Sequence, residues 1–394
     1  MKKKVLFIVG TLQSGGVSKS MVNLLNVWDK EKYETFLLLC CKEDDVFSKY
    51  LPNNVHIIYN PIVEHVMGGY TSAKWLLRHR HIILCFGVLL RLFLSRISRS
   101  LAGELIAKMM PIVSDEYYDL IVDYGGQQLL YYMVNKMRSR RKITFFHNDY
   151  SKWPFYYKAD KKYYPYVDHI FSISQTCVDV LKKYFPDCTN KISIMENISS
   201  TDLIRVRAES CLDDLKANIN GYKQEANIIL CTVAHVCRRK GSDFAIEAAE
   251  YLRSRNIKFK WFLVGRILES DLIDLIKRKK LDSYFIFAGI QSNPYPYMNI
   301  ADIYVQPSRF EGKSISLDEA KILCKPIVVT NFSTVHDQFR NKINASICKM
   351  NGKAVGDAII ELINNTELRQ SYIDNLGSNI MDNSTEVEKL YRFL

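Results

Sequence analysis

QPSRFEGKSISLDEAKILCKPIVVT, residues 306–330, reads as the end of a buried strand, a loop, a helix and a second buried strand. The run Ile-Tyr-Val-Gln at 303–306 closes the first strand, and Pro307 and Ser308 break it. Glu311, Gly312, Lys313 and Ser314 form the loop. A helix is expected over 316–323, and Pro326 opens a strand at 327–329. Glu311 and Glu319 lie one on each side of the loop-to-helix junction. Gly312 lets a ligand come close to the backbone. The free N–H groups at the helix start suit a diphosphate, and a carboxylate on either side accepts hydrogen bonds from hydroxyls. The ligand class implied is a nucleotide sugar. The plain alternative is a surface helix with two solvated glutamates.

The residues before this stretch repeat the alternation. Strands are expected at 228–233, 261–264, 285–288 and 303–306. Helical patterns separate them at 272–279 and at 243–252, where Phe244, Ala245, Ala248, Ala249 and Leu252 share one face. Such alternation specifies a doubly wound parallel sheet. Between the first strand and first helix, residues 234–241 read AHVCRRKG. A basic cluster at a helix N-terminus is placed for phosphates. Solvated surface charge is the bland reading, and the helix start at Gly241 argues against it for Lys240.

Glu-Gly, then Glu-Ala with seven residues between the two glutamates, then Lys-Pro-Ile-Val-Val-Thr, resembles the donor-site signature of retaining GT-B glycosyltransferases. These are family 4-like, group 1 enzymes, among them enzymes of bacterial surface polysaccharide synthesis. The resemblance implies an α/β GT-B fold, with two Rossmann-like doubly wound parallel-sheet domains facing across a cleft. It places an acceptor domain at 1–198, a donor domain at 199–375 and a helix at 376–394 crossing back to the first domain. It assigns Lys240 to the diphosphate, Gly265 to the donor side and Ile290 to the base. Glu319 goes to the ribose hydroxyls and Glu311 to the donor sugar, with Gly312, Lys313, Ser314 and Ile315 around the anion site. The family pattern has Gly-Arg, four residues, then Lys-Gly. Here Ala234-His235 takes the Gly-Arg position, which leaves Arg238 or Arg239 to supply the missing cation.

The first half carries looser marks. Its strands are expected at 5–9, 35–40, 55–59, 119–124, 143–147, 168–174 and 191–195. Gly15-Gly16 opens a helix over 18–28 and allows close approach of a phosphate or an acceptor, or merely a turn with positive φ. His147, Asn148 and Asp149 end a strand, where open α/β sheets bind ligands. The resemblance makes His147 the catalytic candidate of this half beside Glu311 and Lys240. It gives Gly16 to the donor, and Gly15 and Asp149 to the acceptor. Residues 152–166, rich in Tyr and Lys, read either as an acceptor groove or as a surface loop.

Composition narrows the class. The chain has 394 residues, enough for two α/β domains, and 48% hydrophobic content, which is globular. Its start shows no signal-peptide pattern, so a cytoplasmic location is expected. Ten scattered cysteines without CxxC pairs read as reduced core thiols. Net charge is +12, and residues 74–108 hold seven Lys or Arg against one Glu. The middle of that stretch, 82–94, is apolar except for Arg91 and too short to span a bilayer. It reads equally as a helix lying on an anionic membrane or as a long helix packed on the first domain.

The reaction expected is sugar transfer with retention from a nucleoside diphosphate sugar, with UDP as the default base. The acceptor is a saccharide or lipid-linked hydroxyl, at the inner face of the membrane. No cofactor, metal set or nucleic-acid partner is expected. The alternatives are a GT-B sugar-nucleotide epimerase, a phosphorylase, and a non-catalytic membrane- or RNA-binding protein.

Overall fold

The computed structural model describes every residue except Met1, Ser14, Glu43, Asp44, Cys211, Leu212 and 379–381. Ser14 in the Gly-rich turn, and Cys211 and Leu212 in the helical stretch 199–225, therefore lie outside the described residues. The chain forms two compact units. One is Met1–Ile198 with Ser384–Leu394, and the other is Ser199–Asn383.

The first unit holds a seven-stranded sheet in the order β3-β2-β1-β4-β5-β6-β7. Its strands are β1 Lys3–Thr11, β2 Tyr33–Cys41, β3 Val55–Tyr59, β4 Tyr117–Asp123, β5 Arg138–Phe146, β6 His169–Ser172 and β7 Ile192–Ile194. Every pairing is parallel. The strands are apolar runs because both faces are covered: Leu6 and Ile8 enter one core, Val5, Phe7 and Val9 the other. β5 starts five residues before the expected 143, in the charged run Arg138–Lys142. Pairing of Arg138 through Asp123's partner Thr144 with β4 overrides the poor strand composition there.

The second unit holds a six-stranded parallel sheet in the order β10-β9-β8-β11-β12-β13. Its strands are β8 Ile228–Val233, β9 Phe259–Val264, β10 Phe285–Gly289, β11 Ile303–Gln306, β12 Ile327–Thr330 and β13 Ser346–Cys348. β13 has only three residues and no apolar run to announce it. In both sheets the strand order reverses once, between β1 and β4 and between β8 and β11. Such a reversal leaves a crevice at the carboxyl ends of the two strands.

Three expectations need correcting. The stretch 70–110 is three helices, Tyr70–Arg78, Ile82–Ile97 and Arg99–Met109, and not one long helix. Arg80, at positive φ, turns the chain between the first two. Residues 152–166 are largely helical, over Pro154–Tyr156, Tyr157–Tyr163 and Tyr164–Tyr166, rather than a surface loop. Tyr163 and Tyr164 are buried, and the hydroxyls of Tyr131 and Tyr150 donate to the buried Asp160 at 2.5 and 2.7 Å. The helix Thr366–Ser378 belongs to the second unit, so the returning segment is 384–394 and not 376–394. There Val387 and Leu390 fill the core around Trp28. The nine described cysteines are free thiols, most of them buried.

Candidate functional site

The loops after β8 and β11 meet at the switch point of the second sheet. The first loop ends in a short 3-10 turn, Arg238–Lys240, and the helix Ser242–Ser254 follows. Gly241 between them has φ +72°, and a Cβ there would lie 1.7 Å from the Pro307 carbonyl oxygen. Only glycine lets the Lys240 loop press against the exit of β11. The Arg309 N–H donates to the Arg239 carbonyl at 3.1 Å. The Arg309 guanidinium grips Asp243 through two hydrogen bonds of 2.7 and 2.6 Å and lies 3.9 Å over the Phe244 ring. This clamp was not foreseen, although Arg309 sits in the quoted stretch.

At the centre, the Lys240 ammonium donates to both carboxylate oxygens of Glu311 at 2.7 Å. Both side chains are largely buried. Oε1 of Glu311 also accepts from Ser308 Oγ at 2.7 Å and Gln306 Nε2 at 3.0 Å. Burial pushes the Glu311 carboxyl up, but the Lys240 charge and the three donors outweigh it and hold it below the ordinary glutamate value. The network continues inward. Tyr304 Oη donates to Gln306 Oε1 at 2.8 Å, and the Val233 N–H donates to Tyr304 Oη at 3.3 Å. Thr330 Oγ1 donates to the Ser308 carbonyl at 2.5 Å, and Thr334 Oγ1 to that of Glu311 at 2.9 Å. A buried polar network satisfied on all sides fixes one geometry. Tyr304, Gln306, Ser308, Thr330 and Thr334 were missed because each reads alone as ordinary strand or loop.

The helix after Glu311 runs Ile315–Ile322, one residue earlier than expected. Gln338 holds its entrance, accepting from the Ser314 N–H at 3.1 Å and donating to the Ser314 carbonyl at 3.0 Å. The N–H groups of Ile315 and Ser316 fall in the first turn, where a helix offers donors to an anion. Lys313 points its ammonium toward Asp318, 3.9 Å away. Glu319 is only 1% exposed, and Tyr295 Oη donates to its Oε1 at 3.0 Å. Tyr295 opens the helix Tyr295–Ile300, reached through the loop after β10 that carries the half-buried Ile290.

The cations do not all converge. The Arg238 guanidinium is bound to Glu269 and Asp271, so it is withdrawn from the role expected of it. Arg239 is exposed beside the Phe310 ring at 5.7 Å. His235, at the position of the family arginine, is half-buried. Burial first, then the charges of Lys240, Arg239 and Arg266, lower its pKa, so it stays neutral. The charges of Lys240, Arg239 and Arg266 thus all act on His235. Arg266 directly follows Gly265 at the end of β9, and that position was the available signal. A Cβ on Gly265 would lie 2.1 Å from the Ala234 carbonyl oxygen, so this glycine lets the two loops close on each other.

In the first unit, the helix Gly16–Val27 starts at Gly15, whose φ is +152° and whose Cβ side faces open space. No acidic residue stands in its first turn. His147 lies just past β5, its ring 4.5 Å from that of Tyr124. Burial holds it down to about 4, against the Tyr124 backbone and the Asn197 side chain, which favour its charge. Ser20 links Tyr124 and Asn197 at 2.6 and 2.9 Å. Asp123, at the end of β4, accepts from Thr144 Oγ1 at 2.6 Å and from the Gly125 and Gly126 N–H groups at 3.0 Å. Burial still pushes its carboxyl up to about 7. Asp149 caps a turn, accepting from Ser151 N–H and Oγ at 2.9 and 2.6 Å, which is a local structural duty. Among the described residues, no group of three or more His, Cys, Asp or Glu could hold a metal ion.

The profile of the glycosyl transferases group 1 family matches residues 216–376. The matched residues lie within the second unit, which is therefore similar to the group 1 glycosyltransferases. Lys240, Gly241, Gly265, Glu311 and Glu319 all lie within it. The chain is 24% identical over 177 residues to an uncharacterized glycosyltransferase of Methanocaldococcus jannaschii, covering 45% of this chain and 43% of the relative. It is 27% identical over 135 residues to the O-antigen biosynthesis glycosyltransferase WclY of Escherichia coli, covering 33% and 36%. The match thus spans well under half the length of these relatives. The fold extends further than the sequence likeness. The structure of Anabaena HepE in complex with UDP-glucose covers 99% of this chain and 98% of its own, with a TM-score of 0.70 at 14% identity. The architecture is GT-B, two Rossmann-like parallel-sheet units.

Proposed function

We propose that the protein is a retaining glycosyltransferase. It moves a sugar from a nucleoside diphosphate sugar, with UDP as the nucleotide, to an acceptor hydroxyl on a lipid-linked saccharide in surface polysaccharide assembly. The observation that carries this reading is the buried Lys240–Glu311 pair at the β8/β11 switch point, with three residues between Glu311 and the helix Ile315–Ile322. The likeness to O-antigen WclY and to HepE crystallised with UDP-glucose supports it.

The chemistry follows from the donor set. Departure of the nucleotide leaves charge on its diphosphate. Lys240, Arg239, Arg266 and the N–H groups opening Ile315–Ile322 answer that charge, and preorganised positive groups stabilise it without reorganisation. Glu311 Oε1 already has three donors, whereas Oε2 has only Lys240. Oε2 therefore keeps acceptor capacity for a hydroxyl of the donor sugar. Tyr295 holds Glu319 for the ribose hydroxyls, with Ile290 beside the base. His147 works as a neutral group. In this proposal Lys240, the neighbouring arginines and the helix N–H groups carry the positive charge, and the reaction uses no metal or cofactor.

Calorimetry with UDP, GDP and ADP tests this, on wild type and Glu319→Ala. UDP is expected to bind, with EDTA making no difference. The substitution should weaken binding about tenfold to a hundredfold, the loss of a charge-assisted hydrogen bond. Failure of folded protein to bind any nucleotide sinks the proposal. NMR of the product's anomeric proton then decides between retention and inversion.

A further inference from the structure

The helix Ile82–Ile97 turns a continuous apolar face to solvent. Ile83, Phe86, Leu89, Leu90, Phe93 and Ile97 are all exposed, Ile83 by 86%, Phe86 by 67% and Phe93 by 60%. At 3.6 residues per turn these six fall within an arc of about 120°, on a helix roughly 24 Å long. Its other side packs Cys85 and Val88 against Ala73 and Leu76. Arg91, the one charge in the apolar run, does not interrupt the face. Its guanidinium donates to the carbonyls of Met67 and Gly68 and is held inward. Single exposed apolar side chains are ordinary, but a whole helix face is not.

The surroundings of this face carry one sign of charge. Lys74, Arg78, Arg80, Arg96 and Arg99 are exposed, and no Asp or Glu occurs between 65 and 103. Among the described residues, no ion pair uses Lys74, Arg78, Arg80 or Arg96. Arg99 stacks 4.3 Å over Phe155, which is itself exposed. Unpaired cations around an apolar stripe match an anionic surface with an oily interior. They do not match a second copy, because a two-fold contact would set each cationic rim against its own image. No helix among the described residues is long and apolar enough to cross a membrane.

We infer that this face docks the first unit on an anionic bilayer surface. Its aliphatic and phenyl side chains lie below the headgroups, and the arginines lie among the lipid phosphates. The neighbouring Leu77 and Leu101, both exposed, widen the contact. Docking of this kind would hold the first unit where a lipid-anchored acceptor emerges. The inference stands apart from the donor-site reading, and its test uses no nucleotide.

The test is flotation of the full chain with vesicles of phosphatidylcholine alone and of phosphatidylcholine with phosphatidylglycerol. Binding to the anionic vesicles, weakened by salt and by Phe86→Asp with Phe93→Asp, is expected. The aspartate pair should lower partitioning about tenfold or more. Arg78→Gln and Arg96→Gln should each lower it about fivefold. Circular dichroism and melting confirm that the variants fold, and Ile83→Ser with Phe86→Ser replaces the aspartate pair if it does not. Wild type that stays with the unbound fraction overturns the proposal, as do variants that float like wild type. A dimer in sedimentation equilibrium that the aspartates dissociate, without vesicle binding, assigns the face to self-association and overturns it too.

Discussion

Replacing Lys240 by methionine keeps most of the side-chain volume and removes the charge that Glu311 leans on. In the wild type the two side chains are 16% and 8% exposed, so little solvent screening applies. Breaking a buried pair by removing one partner costs about 3–5 kcal/mol. Ser308 and Gln306 still donate to Oε1 in the variant, whereas Oε2 loses its only donor. The low end, about 3 kcal/mol, is therefore expected. For a domain of this size that lowers the melting temperature by about 6–12 °C at pH 7.

The pH dependence gives the prediction its sign. In the wild type the Glu311 carboxyl is held below its ordinary 4.5. It therefore stabilises the fold above that value, and this contribution is lost as pH falls through the folded pKa. Without Lys240, burial dominates and the folded pKa rises above the unfolded one. The penalty is then present at neutral pH and is relieved as the carboxyl takes up a proton. The gap between Lys240→Met and wild type should narrow from pH 7 toward pH 4.5. Adding Glu311→Gln to Lys240→Met should recover most of the loss at pH 7. Differential scanning calorimetry of the full chain, with the three proteins at both pH values, reads all of this. A gap that does not change with pH, together with no rescue by Glu311→Gln, refutes the pairing argument.

Gly241→Ala should cost more than the ordinary ~1–2 kcal/mol of a left-handed residue, because its Cβ would meet the Pro307 carbonyl oxygen at 1.7 Å; a melting temperature within about 2 °C of wild type would deny that contact. Arg238→Gln should leave UDP affinity within about twofold, since its guanidinium is spent on Glu269 and Asp271, whereas Arg239→Gln should weaken it about fivefold or more; calorimetry on both variants shows whether the order is reversed. The His147 ring, held at about 4, should show no NMR titration between pH 5 and 8. Its contribution to stability is complete above the ordinary histidine value of 6.5 and declines as pH falls toward 4, so a ring titrating near 6.5 would contradict its burial.

Much of the architecture was legible because it is written locally. Apolar runs such as Val5–Val9 and 327–329, set between turn residues and helical periods, announce covered parallel strands, and the order of such units fixes the fold class. The same locality marked Lys240, Glu311 and Glu319, since each stands at a strand end or helix entrance. Sequence also located the basic apolar stretch 74–108, but left two readings of it open.

Tertiary structure decided what depends on partners far away in the chain. The Arg138–Lys142 half of β5 is a strand only because β4 lies beside it. Arg238 and Arg239 are adjacent and chemically alike, yet Glu269 and Asp271 claim one and leave the other. Arg91 reads as a break in an apolar face until the carbonyls of Met67 and Gly68 draw it inward. Lys240 and Glu311, 71 positions apart, form a pair because β8 and β11 are neighbours at the point where the strand order reverses. A chain pattern sets which groups a segment can offer. Which of them remain available to a ligand is set by the charges and carbonyls that folding brings within hydrogen-bonding distance, and those come from segments no local pattern connects.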